Sequence, residues 1–183
     1  RLTTGYTANT FASGIGAYRF TVTADAAGAV EWREISFTVT TNSVIASDWV
    51  LYDVTGSSVA VNSTAANANA SGVLSICPDT SCTIGEAQQV GAGATKTYEL
   101  RPTTVSGFGT AGDTVTISFT EDSTAIVNAA AAGLHAGQAM VWSDRSANSH
   151  TTATADWTNG YLVKDMDSDT RSCQFGTSVV CTP

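Results

Sequence analysis

A chain of 183 residues is long enough for one domain with a real core, or for two small ones, and its low charged content leaves the solvent faces to hydroxyls, amides and small side chains. Eight lysines and arginines stand against 16 acids, a net charge of −8, which excludes nucleic acid and anionic lipid as partners because both need clustered cations. No run approaches the roughly 20 apolar residues of a membrane span, so membrane insertion is not expected.

Residues 1–13 are strand-compatible, with Leu2, Tyr6 and Phe11 as isolated anchors. They read as an edge strand or as an arm that adds a strand to a neighbouring copy. Residues 14–183 then form a single domain. Arg1 is not followed by a secretory apolar region, so we expect a leader already removed or a segment of a longer product.

Between Ala17 and Val39, Tyr18, Phe20 and Val22 alternate with Arg19, Thr21 and Thr23, as in a strand with one buried face. Asp25 to Gly28 reads as a hairpin turn. On its far side Val30 and Trp32 keep one phase while Ile35, Phe37 and Val39 keep the other. A β-bulge near Arg33 and Glu34 is therefore predicted, since otherwise the apolar set would rotate out of the core. The run Asp48 to Val54 is large on both phases and suits a central strand. Thr55 to Ser58 turns it, and Val59 to Val61 returns. Asn62 to Ser71 reads as a loop that opens with the Asn-Ser-Thr form of a glycosylation acceptor.

Further strands are predicted at Val73 to Cys77, Thr95 to Arg101 and Asp113 to Glu121. In the last of these Val115, Ile117 and Phe119 face inward and the intervening Thr and Ser outward. The Ala-rich stretch from Ser123 to Gly137, with Ser123 as cap and Gly133 as stop, predicts at most one short helix near 124–133. Strand character returns at Gln138 to Ser143, and Asn159-Gly160 is a hairpin-turn signal. The fold expected is all-β, an antiparallel sandwich of Ig-like or Greek-key type.

Four cysteines pair locally in sequence, Cys77 with Cys82 and Cys173 with Cys181. Gaps of this size with no histidine nearby do not make a zinc site, so two disulfide-clipped loops and an oxidising compartment are expected. Asp165, Asp167 and Asp169 fall on alternate positions, where a loop would converge them on calcium and a strand would merely line them along its wet face. The Gly and closing Glu of an EF-hand loop are absent. No other cofactor is expected.

His135 and His150 have no carboxylate or nucleophile at a recognised spacing, the serines lack a nucleophile elbow, and the glutamates are dispersed. An enzyme is not expected. Trp142 and Trp157 flank a polar excursion from Ser143 to Asp156, and read either as core residues or as a glycan-stacking pair.

The order Trp142-Ser-Asp-Arg-Ser … Asp156-Trp-Thr-Asn-Gly-Tyr161 resembles a recurring segment of large secreted or cell-surface proteins of candidate-phyla (ultra-small) bacteria. The strand at Tyr18 to Asp25 and the run Thr95 to Leu100 sit where that family has comparable strands. The resemblance implies a surface β-sandwich module and brings no catalytic residues. Together these readings point to a structural subunit of an extracellular filament, sheath or surface layer that assembles with copies of itself through its N-terminal arm. The alternative is a carbohydrate-binding or adhesive module of a larger secreted protein, with a polysaccharide as partner.

Overall fold

The computed structural model describes residues 2–4, 11–62, 72–78, 87–127, 129–131, 134, 137–166 and 168–182. Alternation of apolar and hydroxyl-bearing residues writes most of these into strands. In order they are β1 (Leu2–Thr4), β2 (Tyr18–Thr23), β3 (Val30–Asn42), β4 (Ile45–Asp53), β5 (Val59–Ala60), β6 (Gly72–Ile76) and β7 (Gln88–Val90). They continue with β8 (Thr95–Ser106), β9 (Thr114–Phe119), β10 (Met140–Ser143), β11 (Trp157–Asn159), β12 (Asp169–Phe175) and β13 (Val179–Thr182). The first sheet runs β1-β2-β8-β4-β5, and the second runs β11-β10-β3-β9-β12-β13 with β6 and β7 on the other flank of β3. All described pairs are antiparallel. The two sheets face each other over one core, so the chain is the all-β sandwich its sequence predicts.

The second sheet is organised on β3. In β9 the predicted alternation holds, with Val115, Ile117 and Phe119 buried. On β3, Trp142 pairs with Trp32 and Val141 with Glu34, so Arg33 is the extra residue of a bulge. That slip puts Trp32 and the opposite-phase set Ile35, Phe37 and Val39 into the same core, as the sequence predicts.

The predicted hairpin from Ala17 to Val39 does not form. β2 pairs with β1 and β8 in the first sheet, whereas β3 is central to the second, and residues 24–29 carry the chain across. The reason is the core itself. With β2 and β3 on facing sheets, Tyr18 and Phe20 pack on Phe37 at 5.2 and 6.2 Å between ring centroids. Phe37 in turn meets Phe119 at 6.1 Å, and Tyr98 takes the edge of Trp32 at 5.2 Å. Side by side in one sheet these rings would have shared a surface instead of filling the gap between two. Each such ring contributes on the order of 1.5–3 kcal/mol by burial.

Asn159-Gly160 is likewise not a hairpin turn. It ends β11 and leads into a short 3-10 turn, Gly160–Leu162. The Asn159 amide is buried, donating to Thr124 O and to Gln138 Oε1 while its Oδ1 accepts the Ile126 N–H. Those bonds also explain why no α-helix occurs among the described residues of 124–133. The Thr124 and Ile126 carbonyls that a helix would pair internally are held by the Asn159 amide and by the Thr158 hydroxyl.

Strand β4 lies between β8 and β5, but only one of its faces is fully covered. Trp49 and Leu51 point into the core, and Val50 and Tyr52 are half-buried on the outside, where the Arg101 guanidinium lies 4.5 Å over the Tyr52 ring. Cys173 and Cys181 are paired in register across β12 and β13 and joined by a disulfide, the clipped hairpin expected. Cys77 is disulfide-bonded as well. Cys82 lies outside the described residues.

Candidate functional site

Among the described residues three places stand out, and the first is the β1–β2 margin of the first sheet. β1 pairs with β2 through Leu2↔Val22, Thr3↔Thr21 and Thr4↔Phe20, so three residues close an edge that is six residues long. Residues 5–17 lie between β1 and β2 in the chain. Phe11 is not part of a loose arm. It is buried against Trp49 and Phe108, at 6.2 and 6.0 Å between ring centroids. From there the chain is stitched to β8, with Val105 N–H donating to Ser13 Oγ and Gly14 N–H donating to Pro102 O. Phe11 therefore belongs to the core, and Tyr6 lies outside the described residues.

Behind this margin the outer face of the first sheet holds a buried acid. Glu99 accepts from Arg19 on β2 and from Arg101 on its own strand, at 2.5 and 2.6 Å. Burial raises its pKa, but the two guanidiniums outweigh that and hold the carboxyl below its usual range. The same carboxylate occupies the space a side chain at Gly16 would need. Between the sheets, Arg171 on β12 is buried and donates to Gly16 O and Ala17 O, and the Tyr18 hydroxyl donates to Asp169. The entry to β2 is therefore fixed on three sides, while its outer edge is paired, among the described residues, with β1 alone.

The second place is the excursion 144–156 between β10 and β11. Sequence spacing gave His150 no partner, yet its Nδ1 lies 2.7 Å from Asp156 Oδ2 and its Nε2 lies 2.8 Å from Glu31 Oε2 on β3. The Ser143 hydroxyl donates to Asp156, the Thr154 hydroxyl does so too, and Arg145 sits 3.4 Å from the other oxygen of Glu31. Burial pushes the Asp156 carboxyl up, but hydrogen bonds from Thr154, His150, Ser143 and the Ala147 N–H outweigh it and hold the group far below the usual carboxylate range. Ser143 and His150 each meet Asp156 rather than each other, so the arrangement pins a loop and is not a nucleophile–base pair. Its missed member, Glu31, stands 119 residues from His150, beyond the reach of any local pattern. His135 lies outside the described residues.

The third place is a cleft of about 420 Å³ between the β2–β3 corner, β10 and Val163–Lys164. Trp142 lines it, half-buried, with its indole N–H donated to Asn159 O at 3.0 Å. Trp157 does not join it. That ring is fully buried with Ala131, Leu134 and Val141, and its N–H is donated to Thr151 O. The two tryptophans therefore form no common stacking platform, because one of them fills a core.

Of the three aspartates read as a calcium group, two are described. Asp169 opens β12 and accepts from Tyr18, Asp165 is exposed with φ +57°, and Asp167 lies outside the described residues. Among the described residues no group of three His, Cys, Asp or Glu side chains is placed to hold a metal ion. No described helix is long and apolar enough to cross a membrane.

Comparison with family models, with curated proteins and with solved structures yields no match to this chain.

Proposed function

We propose that the chain is a structural subunit of an extracellular filament, sheath or surface layer, and that copies join when β1 leaves its own β2 and completes the β2 edge of the next copy. The observation that carries this is the β1–β2 pairing. A three-residue strand, set apart from β2 by residues 5–17, closes the margin of an otherwise anchored sheet. Its ladder bonds can be made equally well by the same segment of a neighbour, so exchange between copies is close to neutral per bond and is driven by concentration. Donor and acceptor are different surfaces, which makes the contact head-to-tail and lets it propagate.

Other features support the reading. The outward residues of β3, β9 and β12 include Thr38, Thr40, Thr116, Ser118, Thr170 and Ser172, an uncharged hydroxyl face on a chain of net charge −8. The disulfides suit an oxidising exterior. The likeness of the Trp142–Tyr161 segment to surface modules of candidate-phyla bacteria points the same way. Deleting residues 1–10, which spares Phe11, is expected to abolish polymers seen by electron microscopy and to leave a folded monomer by circular dichroism. Polymers that persist without these residues would overturn the proposal.

A further inference from the structure

We infer that the cleft beside Trp142 binds a short neutral saccharide, about two hexose units long. Its volume of about 420 Å³ falls within the roughly 300–1,000 Å³ of small-ligand sites. Buried Val22, Trp32 and Met140 make an apolar floor, and Trp142 stands as a wall. Because the indole N–H is already donated to Asn159 O, the ring is held in place and what it offers a ligand is a flat apolar face.

The rim supplies the polar half of the recognition. Asp25 and Asp144 each use one carboxylate oxygen to accept a backbone N–H two residues on, from Ala27 and Ser146. Each keeps a second oxygen for an incoming hydroxyl. Glu31 lines the cleft too, but its oxygens are engaged by His150 and Arg145. Two available carboxylates against the one ammonium of Lys164 disfavour phosphates, nucleotides and acidic sugars. A hydrocarbon ligand would strip water from those carboxylates and return nothing. A pyranose ring has the matching surface, with C–H groups on its faces for the indole and hydroxyl donors around its edge for the acids.

The site is independent of how copies assemble, and it can be tested on the full chain. Trp49 and Trp157 are fully buried away from the cleft, so a ligand-induced change in tryptophan emission reports on the cleft's own Trp142 and Trp32, and Trp142→Ala separates the two. Cellobiose, maltose and chitobiose are the probes, with digalacturonate as the acidic counterpart. At least one neutral disaccharide is expected to give a saturable emission change and calorimetric heat, with digalacturonate at least tenfold weaker. Trp142→Ala is expected to weaken binding by calorimetry at least tenfold. Gly28→Phe serves as a second variant, since a side chain at Gly28 meets open space at the mouth of the cleft and leaves the core untouched. It is expected to block binding with an unchanged circular dichroism spectrum. No saturable response to any of the three up to about 10 mM, equal binding of digalacturonate, or unaltered binding by Gly28→Phe would each overturn the inference.

Discussion

Asn62 shows how one side chain can finish an edge that the backbone leaves open. Where β5 stops, its Oδ1 accepts the Leu51 N–H at 2.7 Å and its Nδ2 donates to Trp49 O at 3.3 Å, so the side chain stands in for the next residue of a strand. The nitrogen that a glycan would need is buried in this contact. Replacing Asn62 with Ala leaves a buried N–H unpaired and is expected to lower stability by about 1–3 kcal/mol, read from the urea midpoint at constant slope. A cost within error of zero would mean that water or a rearranged backbone takes over the bond. Asp156 makes a second prediction at this scale. Its pKa is depressed in the folded chain relative to an ordinary value of 3.8, so the unfolded state takes up its proton first. Its contribution is complete above about pH 4 and is lost as the pH falls below that. Between pH 6 and pH 2 the urea midpoint of the wild type is expected to fall further than that of Asp156→Asn, and parallel profiles would contradict the assignment. Neither role was legible in the sequence, where Asn62 reads as a glycosylation acceptor and Asp156 as the end of a polar excursion. Their partners lie across the fold, and spacing along the chain carries no record of them.

At the scale of elements, what the sequence states clearly is which face of a strand is apolar, and what it leaves open is which strand lies alongside. The alternation in β9 and the phase slip in β3 were both legible, because each is a property of one strand against one core. The joining of β2 to β3 was not. A short polar stretch with Asp and Gly reverses the chain equally well within a sheet or between two sheets, and the choice falls to the rings of Tyr18, Phe20 and Phe37. Asn159-Gly160 misleads for a related reason. Glycine is needed there for space: a Cβ at Gly160 would come within 2.8 Å of both Asp122 Oδ2 and Met166 Cε. Gly160→Ala is therefore expected to cost about 1–3 kcal/mol by overpacking. A neutral or stabilising result in chemical denaturation would show that Met166 yields freely. The stretch near 124–133 was read as holding at most one short helix, and none occurs among its described residues, where Asn159 and Thr158 hold the Thr124 and Ile126 carbonyls.

For the molecule as a whole, the candidate sites divide by what the sequence can encode locally. The disulfide-clipped β12–β13 hairpin was legible, since it involves nearby residues. The cleft was half legible. Trp142 stands out in the sequence, but the Asp25 corner that completes the wall arrives from the other end of the fold. Everything proposed about assembly rests on β1 being exchangeable between copies while the sandwich behind it, anchored by Phe11 and by Arg171 on the entry to β2, stays intact. The register Thr3↔Thr21 offers a direct test. In a Thr3→Cys/Thr21→Cys variant, oxidised after assembly and run on a denaturing gel without reductant, exchange predicts a ladder of covalently linked copies. Assembled material that oxidises only to monomers, with the new bond closed inside each chain, would contradict it.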